Sequence, residues 1–350
     1  MNSPLVTVFI PVYNSERYIE EAITSIIRQT YDHLEILIID DGSTDQSVEI
    51  IKRFEDSRIR FLQNKENKGI PYTRNVGLRE ANGKYLAVMD ADDIAVKYRI
   101  EKQVGYLERN RNVDAVGSYY KEFGRKINKV VSSNLKTSAE LKTGLIFINR
   151  IGNPTSMIRM ETVHKYQLRY NEHYFVAQDY DMWVQLSKIG HLHIIPEVLL
   201  HYRMGHANIT KNSNVKKMDQ RKKILDSIHQ DILSYYTFEL TQQEVSVFCA
   251  FFNDIHGLTI DHHTITLLPI VLRKMEEQNR QYQLFEERLF ARIIRSTVFT
   301  MLQYHRMTLL GKLSIYNKVC RTNTNFFSVT RDFLMILMKH AYSMVRSLFS

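Results

Sequence analysis

The chain opens on a short, β-branched apolar run, Val6–Val12, broken by Tyr13-Asn14-Ser15 and followed from Glu16 to Arg28 by apolar residues at helical spacing: Ile19, Ala22, Ile23, Ile26 and Ile27. A run of that length suits a buried strand, and the spacing after it predicts a helix, with Ser15 as its N-cap. The pattern then repeats. Leu34–Asp40 reads as a strand ending in acids, and Val48, Ile51 and Phe54 mark a helix; Ile59–Leu62 is a third strand. Gly69 and Pro71 lead into a helix from Tyr72 to Ala81, and Tyr85–Met89 is a strand that stops at Asp90, Asp92 and Asp93. Strands alternating with helices predict an α/β fold with a mainly parallel central sheet and helices on both faces. Ligands of such sheets sit beyond the carboxyl ends of the strands. Three loops at that edge carry the unusual residues: Pro11–Ser15, Asp40–Asp45 and Asp90–Asp93.

From Lys211 the strand pattern stops and long helical patterns take over, Lys216–Tyr236, Leu267–Tyr304 and Phe327–Phe349. Two regions follow, an α/β domain over 1–213 and a mostly α-helical C-terminal region over 214–350. The formal charge of +9 is concentrated in the second: from Lys211 onward there are 19 Lys and Arg against 12 Asp and Glu, whereas residues 1–210 hold 28 against 26. Anionic lipid head groups or a polyphosphorylated carrier would meet that excess, as would simple solvation. Aromatic and basic residues do not interleave as in a single-strand binder, so no nucleic-acid partner is expected. The stripe Phe333, Leu334, Ile336, Leu337, Tyr342, Val345 and Phe349 fits core packing, a homo-oligomer contact or a helix lying on a membrane surface.

Only Cys249 and Cys320 occur, and no basic-then-apolar leader follows Met1, so a cytoplasmic setting with reduced thiols is expected. No apolar stretch reaches the roughly 18 residues that span a bilayer.

Asp90-Ala91-Asp92 at a strand end is the strongest chemical signal. Carboxylates that close repel one another, and a hard cation such as Mn²⁺ or Mg²⁺, sharing phosphate oxygens and water, relieves the repulsion. No Gly-x-Gly-x-x-Gly or Gly-Lys-Ser/Thr loop is present, which counts against a dinucleotide or P-loop site.

Phe9–Ser15, Gln29-Thr30-Tyr31, Ile38–Asp45, Arg74-Asn75-Val76-Gly77 and Gly83 through Asp93 stand in the order and spacing of a known family. Over residues 5–205 the chain resembles the family 2 glycosyltransferases. The resemblance implies a GT-A fold, a nucleotide-diphosphate sugar donor (a UDP-sugar first among them), a divalent metal and transfer with inversion to a hydroxyl of a glycan or lipid-linked glycan acceptor. Bacterial surface polysaccharide assembly is the setting it implies, with a peripheral place at the inner membrane face. Carried over, Pro11, Tyr13 and Glu16 surround the nucleobase and ribose, Asp41 meets the base edge while Asp40 braces its turn, and Gly42 occupies a left-handed or close-approach position. Arg74 reaches the diphosphate; Asp90 and Ala91 address the donor; Asp92 holds the metal. Arg203 and His206 belong to a loop over the phosphates, with His206 available to the metal. Asp179 is the general base, in a helix whose Trp183 and Leu186 face inward. The family's Glu before that Asp is here Gln178, which leaves the base but changes its surroundings. A non-catalytic nucleotide-sugar-binding protein is the alternative.

Overall fold

A computed structural model describes residues 3–124, 127–205, 217–253 and 259–320, together with 334, 335, 337 and 338. The chain divides into two compact units, Met1–Lys142 with Asn149–Ile209, and Thr143–Ile148 with Thr210–Ser350.

The first unit is built on a nine-stranded sheet. β1 (Val6–Val12), β2 (Leu34–Asp40), β3 (Ile59–Gln63) and β4 (Tyr85–Val88) lie in the order β3-β2-β1-β4, all parallel. Beyond β4 the sheet becomes mixed. β8 (Met157–Arg159) runs antiparallel to β4 and to β6 (Ala115–Gly124), while β9 (Leu192–Arg203) is parallel to β6. β5 (Ile94–Ala95) closes that edge against β9, and β7 (Ile127–Val131) pairs with β6 off the main path. The crossover helices explain the parallel half: each strand there must return over a face of the sheet.

The all-buried pattern of β1 shows that both faces are covered. Val6, Val8, Ile10 and Val12 join Ile19, Ala22, Ile23 and Ile26 of α1 (Ile19–Ile27), and Ile100, Val104 and Leu107 of α4 (Arg99–Arg109), in one apolar cluster. On the opposite face the Phe9 ring lies against Gly77 of α3 (Ile70–Glu80), where an added Cβ would come within 2.8 Å of it. The remaining helices of the α/β layer are α2 (Ser47–Ile51), α5 (Ser138–Leu145), α6 (Met160–Tyr166) and α7 (Gln178–Ile189). Trp183 and Leu186 of α7 are fully buried, as their period predicts.

One local expectation is corrected. Ser15 is not the N-cap of α1, which starts four residues later with Tyr18 in the cap position and no capping side chain. Instead the Ser15 carbonyl accepts from the N–H groups of Tyr18 and Ile19, a turn that precedes the helix.

The second unit is helical: α8 (Met218–Tyr235), α9 (Gln242–Phe252), α10 (His262–Tyr282), α11 (Glu287–Tyr304) and α12 (Leu309–Ile315). Its starts are written in the sequence: Thr241 and Glu244 form a reciprocal capping box, and Asp261 accepts from Thr264 N–H at 2.8 Å. The expected helix over Leu267–Tyr304 is two, broken where Gln283 takes φ 51° and Asn279 holds both main-chain groups of Phe285. Phe147, from the short upstream segment, packs at ring-centroid distances of 5.0 Å from Phe252 and 5.8 Å from Phe248, and its carbonyl meets His229 Nε2 at 2.9 Å. Both cysteines are buried, and neither is in a disulfide. No helix among the described residues is long and apolar enough to cross a membrane. Most of the Phe333–Phe349 stripe lies outside the described residues.

Candidate active site

Parallel pairing brings the ends of β1, β2 and β4 to one edge: Val12 pairs with Asp40, Phe9 with Val88, and Asp41 N–H donates to the Val12 carbonyl at 2.8 Å. Loops 13–18 and 41–46 leave that edge side by side. They are stapled together. Asn14 N–H donates to Ser43 Oγ (2.9 Å), Thr44 N–H to Asn14 Oδ1 (2.8 Å), Glu16 N–H to Asp45 Oδ2 (3.0 Å) and Gln46 N–H to Glu16 Oε2 (3.1 Å). Glu16 and Asn14 thus hold the shape of the rim, Pro11 is buried in β1, and the Tyr13 ring, 48% exposed, is the side chain this rim offers to a flat ligand.

The two acids at the end of β2, Asp40 and Asp41, are both buried braces. Asp40 Oδ2 accepts from the N–H groups of Gly42 and Ser43 and from Gln63 Nε2. Asp41 grips the loop before α3, taking Asn64 Nδ2 (2.8 Å) and Lys68 N–H (3.0 Å) on Oδ1 and Gly69 N–H (2.9 Å) on Oδ2. Gly42 satisfies both reasons for a glycine: its φ is 73°, and a Cβ would lie 2.6 Å from the Glu66 carbonyl carbon.

The acidic turn after β4 is held from three sides. Arg203 donates its N–H to Asp93 Oδ1 (2.9 Å) and its Nε to the Asp92 carbonyl (2.8 Å), while its guanidinium ion-pairs with Glu21 and lies over the rings of Tyr18 (4.7 Å) and Phe123 (4.6 Å). Arg203 is therefore committed to the turn. Asp93 is fully buried, and burial together with Asp90 and Asp92 pushes its carboxyl well above the usual range. Arg99, fully buried beneath, donates to the Val88 carbonyl (2.7 Å) and to that of Ser156, and burial pulls its guanidinium down to about 10.

Arg74, buried on α3, stands 3.5 Å from Asp90 and over the Tyr170 ring at 5.5 Å. Burial pushes Asp90 up to about 6; Arg74 pulls it back, and Asp92 and Asp179 push it up again. Those influences place Arg74, Asp90, Asp92 and Asp179 in one electrostatic neighbourhood. Asp179 comes from the first turn of α7, after Ala177 in a left-handed conformation, and accepts from Asn149 Nδ2 at 3.2 Å. Gln178 beside it is buried, its side-chain carbonyl without a protein partner among the described residues. Ala91 is buried between the two outer acids of the turn. His206 lies outside the described residues.

Two side chains at the site escape a reading of sequence alone. Tyr170 has a buried hydroxyl without a partner among the described residues, pushed up to about 12 by burial, and its ring backs Arg74. Asn149 bonds the proposed base. Neither sits in a motif; only Tyr170, an aromatic in the polar stretch before α7, carries any signal.

Among the described residues no three His, Cys, Asp or Glu side chains are grouped to hold a cation unaided. The turn nonetheless fits one: a hard cation that fills its shell with substrate phosphates and water needs only one or two protein carboxylates, and the repulsion acting on Asp90 is of the kind a divalent charge relieves.

Residues 7–174 match the sequence model of Glycosyl transferase family 2. An uncharacterized glycosyltransferase of Haemophilus influenzae is 38% identical over 246 residues, 67% of this chain and 75% of that protein. TuaG of Bacillus subtilis, named for teichuronic acid biosynthesis, is 32% identical over 216 residues, 60% of this chain and 82% of its own. Among solved structures, S. aureus TarS 1-349 in complex with UDP-GlcNAc has a TM-score of 0.54 at 15% identity, covering 97% of this chain and 91% of that one. Mannosyltransferase PcManGT from Pyrobaculum calidifontis, in complex with GDP-Man and Mn²⁺, has a TM-score of 0.53 at 15% identity, covering 93% and 89%. The structural likeness is one of fold.

Proposed function

The chain belongs to the family 2 glycosyltransferases, and from that membership we propose that it moves a sugar, with inversion, from a nucleotide diphosphate donor to a hydroxyl of a glycan or lipid-linked glycan in surface polysaccharide assembly. The convergence of Arg74, Asp90, Asp92 and Asp179 at the carboxyl edge of the sheet carries this reading. A UDP-sugar is the first donor to test, since the TarS neighbour is described with UDP-GlcNAc; PcManGT, described with GDP-Man, makes guanosine the second.

Tyr13 offers its ring to the nucleobase, on the rim shaped by Glu16 and Asp41. Arg74 supplies fixed positive charge for the diphosphate, and Asp90 and Ala91 border the donor sugar. Asp179 takes the proton from the acceptor hydroxyl as its oxygen attacks the anomeric carbon; the bond to the diphosphate breaks on the opposite face, and the electron pair leaves with the nucleotide. Asn149 fixes the base carboxylate. Asp92, with Asp90, would hold Mn²⁺ or Mg²⁺, which when bound offsets charge developing on the departing diphosphate. Arg203 acts one step back by holding the turn that carries Asp92. A cytoplasmic place, peripheral to the inner membrane face, follows from a lipid-linked acceptor.

A thermal-shift panel of nucleotide sugars with and without Mn²⁺ tests the donor site, because a ligand of the folded state raises its apparent stability. Asp92→Ala is expected to abolish the metal-dependent shift. Asp179→Asn is expected to keep it and stop transfer. Normal transfer by Asp179→Asn would remove Asp179 as the base, and a product retaining the donor's anomeric configuration would remove the inverting mechanism.

A further inference from the structure

A cleft of about 710 Å³ opens within the helical unit between α10, α11 and residues 316–320, outside every motif assigned above. It is strongly basic. α10 contributes Arg273 and Arg280, seven residues apart and so on one face; α11 contributes Arg288, Arg292 and Arg295 at the same helical spacing; Lys318 completes the wall. Two carboxylates oppose these six cations. Glu287 pairs with Arg280 at 3.3 Å, both side chains well exposed. Glu276 is pushed up by burial and pulled back by Arg295, Arg280 and Arg273. The side chains of Arg273, Arg288, Arg295 and Lys318 form no hydrogen bond or close ion pair with any described residue.

Like charges three or four residues apart weaken a helix, as Arg288, Arg292 and Arg295 are on α11, and Arg273 and Arg280 of α10 line the same cleft. The cleft wall also includes Leu272, Phe290 and Ile294, so the arginine stems lie along apolar surface and their guanidinium heads are left for a ligand in the concavity. Arginine's planar fork matches phosphate oxygens in pairs. We propose that this cleft binds a ligand carrying two or more phosphate-type negative charges, at a site separate from the sugar-donor site and independent of how that site works.

Isothermal titration of the full chain with inorganic pyrophosphate in EDTA is the test. Chelation removes the metal route into the donor site. We expect metal-free binding that weakens as salt rises, weakens by at least about tenfold in Arg288→Gln/Arg295→Gln, as the loss of charge-assisted hydrogen bonds implies, and survives in Asp92→Asn. Should the double variant fold poorly, Arg273→Gln probes the opposite wall with a single exposed change. Flotation with phosphatidylcholine vesicles, with and without phosphatidic acid, separates the sources: capture that needs the acidic lipid and the arginines identifies a lipid headgroup, and pyrophosphate binding without capture identifies a soluble or glycan-borne phosphate. Absence of metal-free binding, or binding indifferent to both sets of arginine changes, overturns the proposal.

Discussion

The main-chain N–H of Arg203 meets Oδ1 of Asp93 at 2.9 Å across 110 residues of sequence, and the same arginine's Nε caps the Asp92 carbonyl. The last residue of β9 thereby sets the conformation of the acidic turn after β4. Arg203→Lys keeps the charge and the main-chain bond but loses the Nε contact and the planar stacking on Tyr18 and Phe123. The expected cost is about 1–3 kcal/mol in urea unfolding, with a raised donor KM. Unchanged donor KM and stability together would show that the turn holds itself.

Asp41 should matter for order before it matters for chemistry. In Asp41→Asn one acceptor oxygen becomes an amide donor, so at least one of the bonds to Asn64, Lys68 and Gly69 is lost. Destabilisation of about 1–3 kcal/mol is expected, together with faster tryptic cutting at Lys65 and Lys68. A variant that cuts at the parental rate but fails to bind donor would assign Asp41 to the nucleobase alone.

Tyr170 separates ring from hydroxyl. Tyr170→Phe removes a buried hydroxyl that has no partner among the described residues and keeps the ring behind Arg74, so stability should hold or rise by about 1 kcal/mol. Tyr170→Leu removes the ring contact and should cost about 1–3 kcal/mol with weaker donor binding. If the Phe variant alone lost transfer, the hydroxyl would be a substrate contact.

His229 makes the helical unit sensitive to acid. Burial holds its imidazole down to about 4, from an ordinary 6.5, with Nε2 bonded to the Phe147 carbonyl. A depressed base is neutral in the folded state, so its contribution is complete above pH 6.5 and is lost as pH falls toward and through 4. The loss amounts to roughly 3 kcal/mol at most. His229→Gln should flatten the fall in Tm between pH 7 and 4; an unchanged slope would place the acid sensitivity elsewhere.

The strand-helix alternation of the first unit was legible because each element carries its own pattern: β1 and β2 are short, mostly apolar runs, and α1 shows one apolar face. The edge where the acids gather followed from topology. What was not legible is what the side chains grip. Asp41 and Arg203 are ligand contacts by resemblance, and their partners within the protein, Asn64 Nδ2 with the Lys68 and Gly69 N–H groups for Asp41 and the Asp93 carboxylate with the Asp92 carbonyl for Arg203, lie in segments distant in sequence, set only once the sheet is assembled. The start of α1 was misplaced for a similar reason: Glu16 is held by Asp45 and Gln46 of a neighbouring loop, and the N–H groups of Tyr18 and Ile19 turn back onto the Ser15 carbonyl. The break between α10 and α11 combines Asn279 bonding six residues ahead, a left-handed Gln283 and Glu286 capping α11, and no periodicity marks such bonds.

Phe147 lies in a short piece, Thr143–Ile148, of a unit whose main part begins more than sixty positions later. A gene fragment ending near residue 210 would therefore not yield a clean module. It would present Leu145, Ile146 and Phe147, each fully buried in the whole chain, as a sticky apolar strip, and the detached helical half would lack an aromatic of its core. Exchange of C-terminal halves between relatives thus requires the 143–148 segment to travel with them, a two-piece cassette whose pieces must be matched.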